Sequence, residues 1–272
     1  MHNEQTLSRR PNPSISGISG DAVWDRIRAE ALETAAIAPT LASMVRSRVL
    51  CHADLGHALA HRLVGMLADV YVTREDLRNH CLAAYSEDPG IVDAARADIL
   101  AVLERDPATR RMLQPFLFFK GFRAIQAYRL AHWLINTGQS DLAFYIQMQM
   151  SDLFAIDIHP SAKIGHGLMI DHAHGIVIGE TSTIGNNVTL LHSVTLGGTG
   201  KQSAARHPSI GDDVVIGAGA KILGNIHVGR GAKIAAGSVV LRDVPDYKTV
   251  VGVPGRVVES KFETYLDHNR VG

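Results

Sequence analysis

From Ile158 to Val240 an aliphatic residue returns at every sixth position, with glycine and small residues filling many of the places between. Ile158, Ile164, Ile170 and Ile176 open the series, and after a slip of two Ile178, Ile184, Leu190 and Leu196 continue it. A second, unbroken ladder reads Ile210, Ile216, Ile222, Val228, Ile234 and Val240, with Gly211, Gly217 and Gly229 each following a member. Six is neither the period of about 3.6 of a helix nor the two-residue alternation of a strand, so the pattern predicts a parallel β-helix. Three hexads make one triangular coil, with aliphatic residues in the shaft and glycine or small polar residues at the corners. At about 4.8 Å per coil, about four or five coils give a prism roughly 20 to 25 Å long. The step from Leu196 to Ile210 is fourteen positions instead of twelve, and the intervening GGTGKQSAARHPS predicts an extruded loop. Past Val240 the text DVPDYKTVVGVPGRVV carries two prolines and no aliphatic ladder, so the prism is expected to end there.

Upstream, from Asp21 to about Asp152, the pattern is helical. Asp21 is placed to cap the first helix, Pro39 restarts the chain into a helix over Thr40–Val49, and Asp54 is placed to cap a third. Thr73 with Asp76 resembles a capping box, Asp88 and Pro89 make a turn, and a helix from about Ile91 to Glu104 stops at Asp106-Pro107. Pro115 to Thr137 reads as one helix, apolar around much of its circumference and ended by Gly138. Its Arg123, Gln126 and Arg129 recur every third position as a polar stripe, expected to be solvated or interfacial. A last helix leads to Phe154, so the helical block abuts and can cap one end of the solenoid. The expected organisation is a disordered leader (1–20), a helical domain (21–153), a β-helix domain (154–256) and a polar tail (257–272).

Composition narrows the partners. Lys and Arg total 27 against 27 Asp and Glu, with a sequence pI near 7.3, which argues against nucleic acid or an anionic membrane as a partner. No stretch approaches the ~18 apolar residues of a membrane span. Arg9 and Arg10 are followed by no apolar signal core. Cys51 and Cys81 both fall in the helical part, which speaks against a disulfide scaffold and a cysteine-ligated metal, and fits a reducing cytoplasm.

The densest polar cluster within the ladder is Asp157, His159, Asp171, His172 and His174. Asp157 and His172 are fifteen residues apart and fall on adjacent rungs of an eighteen-residue coil. A carboxylate beside an imidazole fixes its tautomer and leaves the other nitrogen to accept a proton, which is a general-base pair. Two alternatives stay open on spacing alone. Such residues also simply decorate solenoid turns, and His159, His166, His172, His174, His192, His207 and His227 supply enough imidazole for a zinc site shared between subunits, as in a γ-type carbonic anhydrase.

The phrases DIHPSAKIGHGLMIDHAHGIVIGET, SVTLGGTGK, RHPSIGD and IGAGAKILGNI, with APTLASM, the RDP at Arg105 to Pro107 and KGFRAIQAYRLAHWL in the helical half, closely resemble bacterial and plant serine O-acetyltransferases. The resemblance implies an α+β chain whose helical domain is followed by a left-handed parallel β-helix, trimeric through its flat faces, with two trimers pairing through the helical domains. It implies an active site between subunits in which His172 is the general base, Asp157 its orienting carboxylate, Arg206 and His207 the carboxylate clamp, and Asp106 and Asp171 the ammonium site, with Glu180 a further candidate. Acetyl-CoA as co-substrate, with no metal, is expected along Gly198, Ala218 and Ala236, with Lys201 or Lys233 meeting phosphate. L-Serine would be the acceptor and L-cysteine an inhibitor. Homoserine or a sugar is the nearest alternative acceptor, and a non-catalytic scaffold the non-enzymatic one. In this family a C-terminal isoleucine enters O-acetylserine sulfhydrylase, whereas this chain ends Asn269, Arg270, Val271, Gly272, so a complex through the tail is not expected.

Overall fold

A computed structural model describes residues 20–200 and 204–258. The expected leader up to residue 19, Lys201 and the tail beyond residue 258 lie outside the described residues. The helical part comprises α1 (Gly20–Ile37), α2 (Pro39–Val45), α3 (Leu55–Leu67), α4 (Arg74–Glu87), α5 (Gly90–Arg105), α6 (Leu113–Phe118), α7 (Lys120–Asn136) and α8 (Ser140–Phe154). Local chemistry sets most of its boundaries. Pro39 opens α2, Asp54 Oδ1 accepts the His57 N–H at 2.9 Å, and Thr73 Oγ1 accepts the Asp76 N–H at 3.2 Å. Two expectations are corrected here. Asp21 lies inside α1, which begins at Gly20, and α2 continues beyond Val45 as a π-helical turn over Arg46–Leu50.

The segment Pro115 to Thr137 is two helices rather than one, broken at Phe119 with extended backbone (φ −83°, ψ 119°). The break turns Gly121 onto the solenoid, where an added Cβ would stand 2.1 Å from the Ile170 carbonyl oxygen. Only glycine permits that approach. The polar stripe is interfacial and largely buried. Gln126 Nε2 and Arg129 Nη2 donate to Asp98 Oδ2 at 2.9 and 2.7 Å, Arg129 Nη1 donates to the Gly165 carbonyl at 2.9 Å, and Asp98 Oδ1 accepts the Leu168 N–H at 2.8 Å. Asp98, fully buried on α5, thereby ties two helices to the first coil.

The solenoid has three faces. The first is built from β1 (Ile156–Ile158), β4 (Ile176–Ile178), β7 (Thr195–Gly197), β10 (Lys221–Leu223) and β13 (Val239–Val240). The second stacks β2 (Lys163–Ile164), β5 (Thr183–Ile184), β8 (Ser209–Ile210) and β11 (His227–Val228). The third stacks β3 (Met169–Ile170), β6 (Thr189–Leu190), β9 (Val215–Ile216), β12 (Lys233–Ile234) and β14 (Thr249–Val251), with β15 (Arg256–Val258) antiparallel at its end. All other pairings are parallel, and the hexad residues fill the shaft in one core that continues into α3, α7 and α8. The helices therefore cap the first coil, as expected.

Three details of the ladder differ from the sequence reading. Ile176 stacks on Ile156, and the two-residue slip is an enlarged corner that makes the first coil twenty residues, Ile158 to Ile178, against eighteen from Ile178 to Leu196. The extrusion after Leu196 is larger than expected, because β7 and β8 lie on consecutive faces and a step of six would have sufficed. The prism also continues past Val240. Val244 bridges to Val228 and Val250 pairs with Ile234, while Pro245 and Pro254 stand in the turns, where a missing N–H breaks no ladder.

Candidate active site

The enlarged first corner, Asp171 to Gly175, carries the histidine-rich phrase. His172, Ala173 and Gly175 have φ of 55°, 57° and 73°, and the turn is seated by the Gly175 N–H donating to the Ala155 carbonyl at 2.8 Å. Ala173 enters the core, and the His172 side chain is pushed outward to 73% exposure. Its Nε2 lies 3.6 Å from Asp171 Oδ2, and its ring meets His192 edge to face at 5.8 Å.

This corner opens onto a cleft of about 880 Å³ between the solenoid and the helices. Asp106, Asp171, His172, His174 and His192 line it, opposed by Phe119, Lys120 and Arg123 of the α6–α7 junction. Asp106 sits at the end of α5 with its carboxylate pinned, since Oδ1 accepts the Ala108 N–H at 2.8 Å and Oδ2 the Thr109 hydroxyl at 2.5 Å. Arg105 donates to the Asn187 carbonyl at 2.9 Å and to Thr189 Oγ1 at 3.2 Å, which fixes that helix end on the second coil. Two carboxylates and three imidazoles thus line one space; the carboxylates suit an ammonium group, and an imidazole beside them suits a proton acceptor.

Glu180, Arg206 and His207 lie on the other edge of the first face, between β4 and β5 and after the extruded loop. Arg206 Nη2 is 2.5 Å from Glu180 Oε2, a contact that holds the Glu180 carboxyl below the usual glutamate range. The His207 ring lies across Gly179, where a Cβ would be 2.1 Å from it, and Nδ1 accepts the Thr181 N–H at 3.2 Å. Burial and the Arg206 charge push the His207 imidazole below its ordinary value. His159 of the coil below is lowered as well, by burial first.

Asp157 faces outward in the middle of β1, where its Oδ1 accepts from Gln147 Nε2 at 2.6 Å. The charged neighbour of His172 in this chain is Asp171, so the expected pairing of Asp157 with His172 is not among its described contacts. Ala218 and Ala236 stack above His192 along the first edge, through Gly219 N–H to His192 O at 2.9 Å and Gly237 N–H to Ala218 O at 2.8 Å. Lys233 is on β12 of the third face, whereas Gly198 lies on the opposite edge, where its Cβ would approach Arg206 and His207 at 3.2 Å. Among the described residues no three His, Cys, Asp or Glu side chains form a metal-holding group in this chain, and no helix is long and apolar enough to cross a membrane.

Sequence reasoning missed Lys120 and Thr181, and named Arg123 only as part of the polar stripe. Thr181 had no readable signal, because the offset of 26 that carries it onto His207 follows from the stacking of Ile184 on Ile210, and the sequence predicted a smaller extrusion. Lys120 had none either, because it faces the cleft from the helix break at Phe119, beside the close approach of Gly121 to Ile170.

The family described as "Serine acetyltransferase, N-terminal" matches residues 23–127, and "Bacterial transferase hexapeptide (six repeats)" matches residues 207–242. A serine acetyltransferase of Haemophilus influenzae is 53% identical over 236 residues, 87% of this chain and 88% of that protein. The chain belongs to the serine acetyltransferase family. Solved structures agree. A serine acetyltransferase in complex with cysteine superposes with a TM-score of 0.86 at 53% identity, covering 87% of this chain and 98% of the other. A serine acetyltransferase in complex with CoA superposes at 0.84 with 52% identity, covering 88% and 100%. The two family matches fall on the helical block and on the later coils of the solenoid of this serine acetyltransferase family member.

Proposed function

We propose that this acetyltransferase moves the acetyl group of acetyl-CoA to the hydroxyl of L-serine, giving O-acetyl-L-serine and CoA for cysteine synthesis. The observation that carries the reading is the cleft in which His172 stands beside Asp106 and Asp171. The two carboxylates receive the substrate ammonium. His172 removes the hydroxyl proton as the oxygen attacks the thioester carbonyl, and returns it to the departing thiolate of CoA. A positioned base of this kind contributes about 10² to 10⁴ in rate. Asp157 is the proposed orienting carboxylate, since the corner that bears His172 is seated on Ala155, two residues before it. Taking up that role requires the imidazole to turn from Asp171 toward β1.

The substrate carboxylate needs cationic or N–H donors, and Arg206 with His207 provides both, on the opposite edge of the prism. A neighbouring protomer packed through the flat faces would bring its Arg206 edge to this His172 edge, so the site is read as shared within a trimer, two of which pair through the helical domains. Glu180 holds the Arg206 guanidinium in its direction. Ala218 and Ala236, small residues stacked above His192, leave the edge open for the pantetheine arm, with Gly198 of the neighbour opposite and Lys233 for phosphate. L-Cysteine presents the same ammonium and carboxylate with a thiol in place of the hydroxyl, which fits it as a competing inhibitor. The enzyme is read as cytoplasmic, and the tail on which docking to O-acetylserine sulfhydrylase would depend lies outside the described residues.

Acetyl-CoA-dependent thiol release by metal-chelated protein tests the reading, with L-serine, L-homoserine and simple sugars compared at equal concentration. Strong preference for L-serine is expected. Release with another acceptor would overturn the substrate, and none with any acceptor would overturn the activity.

A further inference from the structure

We infer that Thr181 is a positioning residue that presents His207 as a neutral donor, with its proton on Nε2, toward a substrate carboxylate. The inference rests on the reading of that edge as the carboxylate clamp. Four contacts converge on Thr181. Its Oγ1 accepts the Arg206 N–H at 3.0 Å and the His207 N–H at 3.1 Å, which occupies both hydroxyl lone pairs. The hydroxyl proton is left to donate, and the atom facing it is His207 Nδ1 at 2.9 Å. The Thr181 backbone N–H points at the same nitrogen from 3.2 Å.

A nitrogen that receives an N–H and an O–H carries no proton of its own, so the imidazole proton must sit on Nε2. That nitrogen has no hydrogen-bond partner among the described residues. The ring is held in place from below by Gly179, whose missing side chain makes room for it, and Gly198 leaves the space beside Nε2 open in the same way. The charged groups around the ring agree with a neutral state. Burial most of all, then Arg206, disfavours a second proton, Glu180 favours one, and His159 disfavours it. One hydroxyl thus sets both the backbone path of the two clamp residues and the polarity of the histidine. The edge then offers a guanidinium and one directed N–H, a donor set suited to a carboxylate.

Neutron diffraction from deuterium-exchanged crystals of the full chain at neutral pH would read the assignment directly, with deuterium expected on His207 Nε2 alone. Deuterium on Nδ1 would overturn it. In kinetics, Thr181→Val is expected to raise KM for L-serine about tenfold, the loss expected from a displaced charge-assisted hydrogen bond, with KM for acetyl-CoA within about twofold. Thr181→Ser, which restores the hydroxyl, is expected to recover the wild-type serine KM. An unchanged serine KM in Thr181→Val, or no recovery in Thr181→Ser, would overturn the positioning role. Absence of serine-dependent turnover in the wild type would instead remove the serine reading, while the deuterium position would still decide the tautomer.

Discussion

His172 occupies left-handed backbone, and so does Ala173 after it. Such conformations cost a non-glycine residue about 1 kcal/mol or more, and they persist only where surrounding structure imposes them. Here the imposing contacts are the buried Ala173 and the Gly175 hydrogen bond to Ala155, which force the histidine outward over the cleft. The strain is local to the corner, so truncating the imbedded turn's outward side chain should spare the fold. His172→Ala is therefore expected to lower kcat by about 10² to 10⁴ while the melting temperature and oligomeric state stay at wild-type values, as checked by thiol-release kinetics and calorimetry. Retained turnover would remove His172 as the base. The residue type was legible from the sequence, and so was its position in a break of the ladder. The coil geometry around it was not, because the fifteen-residue spacing to Asp157 assumed a regular eighteen-residue coil, whereas the first coil has twenty residues and Asp171 is the carboxylate 3.6 Å from His172.

At the level of elements, the proposed catalytic edge depends on how α5 and α7 meet the first coil. Asp98 is the joint: fully buried, it accepts from Gln126, Arg129 and the Leu168 N–H, three residues before Asp171. The same helix ends at Arg105, followed by Asp106, so one carboxylate sets the distance between the two groups proposed to hold the ammonium. Removing it strands the Arg129 charge in the interior. Asp98→Ala is expected to destabilise the chain by about 3 to 5 kcal/mol, read from urea unfolding, and to raise KM for L-serine more than KM for acetyl-CoA. A loss under about 1 kcal/mol would show that the network is dispensable. The sequence announced the helices and the Arg123, Gln126, Arg129 stripe, but α5 carries both Asp93 and Asp98, and an aspartate in a helix reads the same whether it faces water or a buried arginine. The break at Phe119 was equally hidden, since it arises where Gly121 meets Ile170.

For the whole molecule, the two edges of the prism carry complementary halves of the proposed site, and complementation tests whether protomers share it. Oligomers of His172→Ala alone and of Arg206→Ala alone are expected to be nearly inactive, whereas denaturing them together and refolding should restore a measurable fraction of turnover. No restoration in verified mixed oligomers would place both halves in one chain. A second whole-molecule property follows from titration. His52, His61, His159 and His207 are all held below the ordinary imidazole value of 6.5, in each case with burial as the first cause. A lowered folded-state pKa means that the unfolded chain binds more protons, so stability is fully present above 6.5 and falls as pH drops through the lowered values. Melting temperature is therefore expected to decline on acidification below about pH 6.5, before the carboxylates titrate. A flat profile down to about pH 5 would contradict it.

The hexad ladder by itself determined the three-faced solenoid, because a shaft lined by one aliphatic residue per side leaves few other residues acceptable at those positions. Helical periodicity, caps at Asp54 and Thr73, and family phrases around His172 and Arg206 likewise reside in local sequence, where each residue's preference is expressed without help from afar. Tertiary structure decided what depends on stacking. It set which rung lies above which after an insertion, made Ile176 the partner of Ile156, and carried the prism through Val244 and Val250. It also chose which buried charge finds which partner and placed Thr181 under His207. Those contacts join residues 16 to 31 positions apart, and their energy exists only once the coils and helices have closed the distance between them.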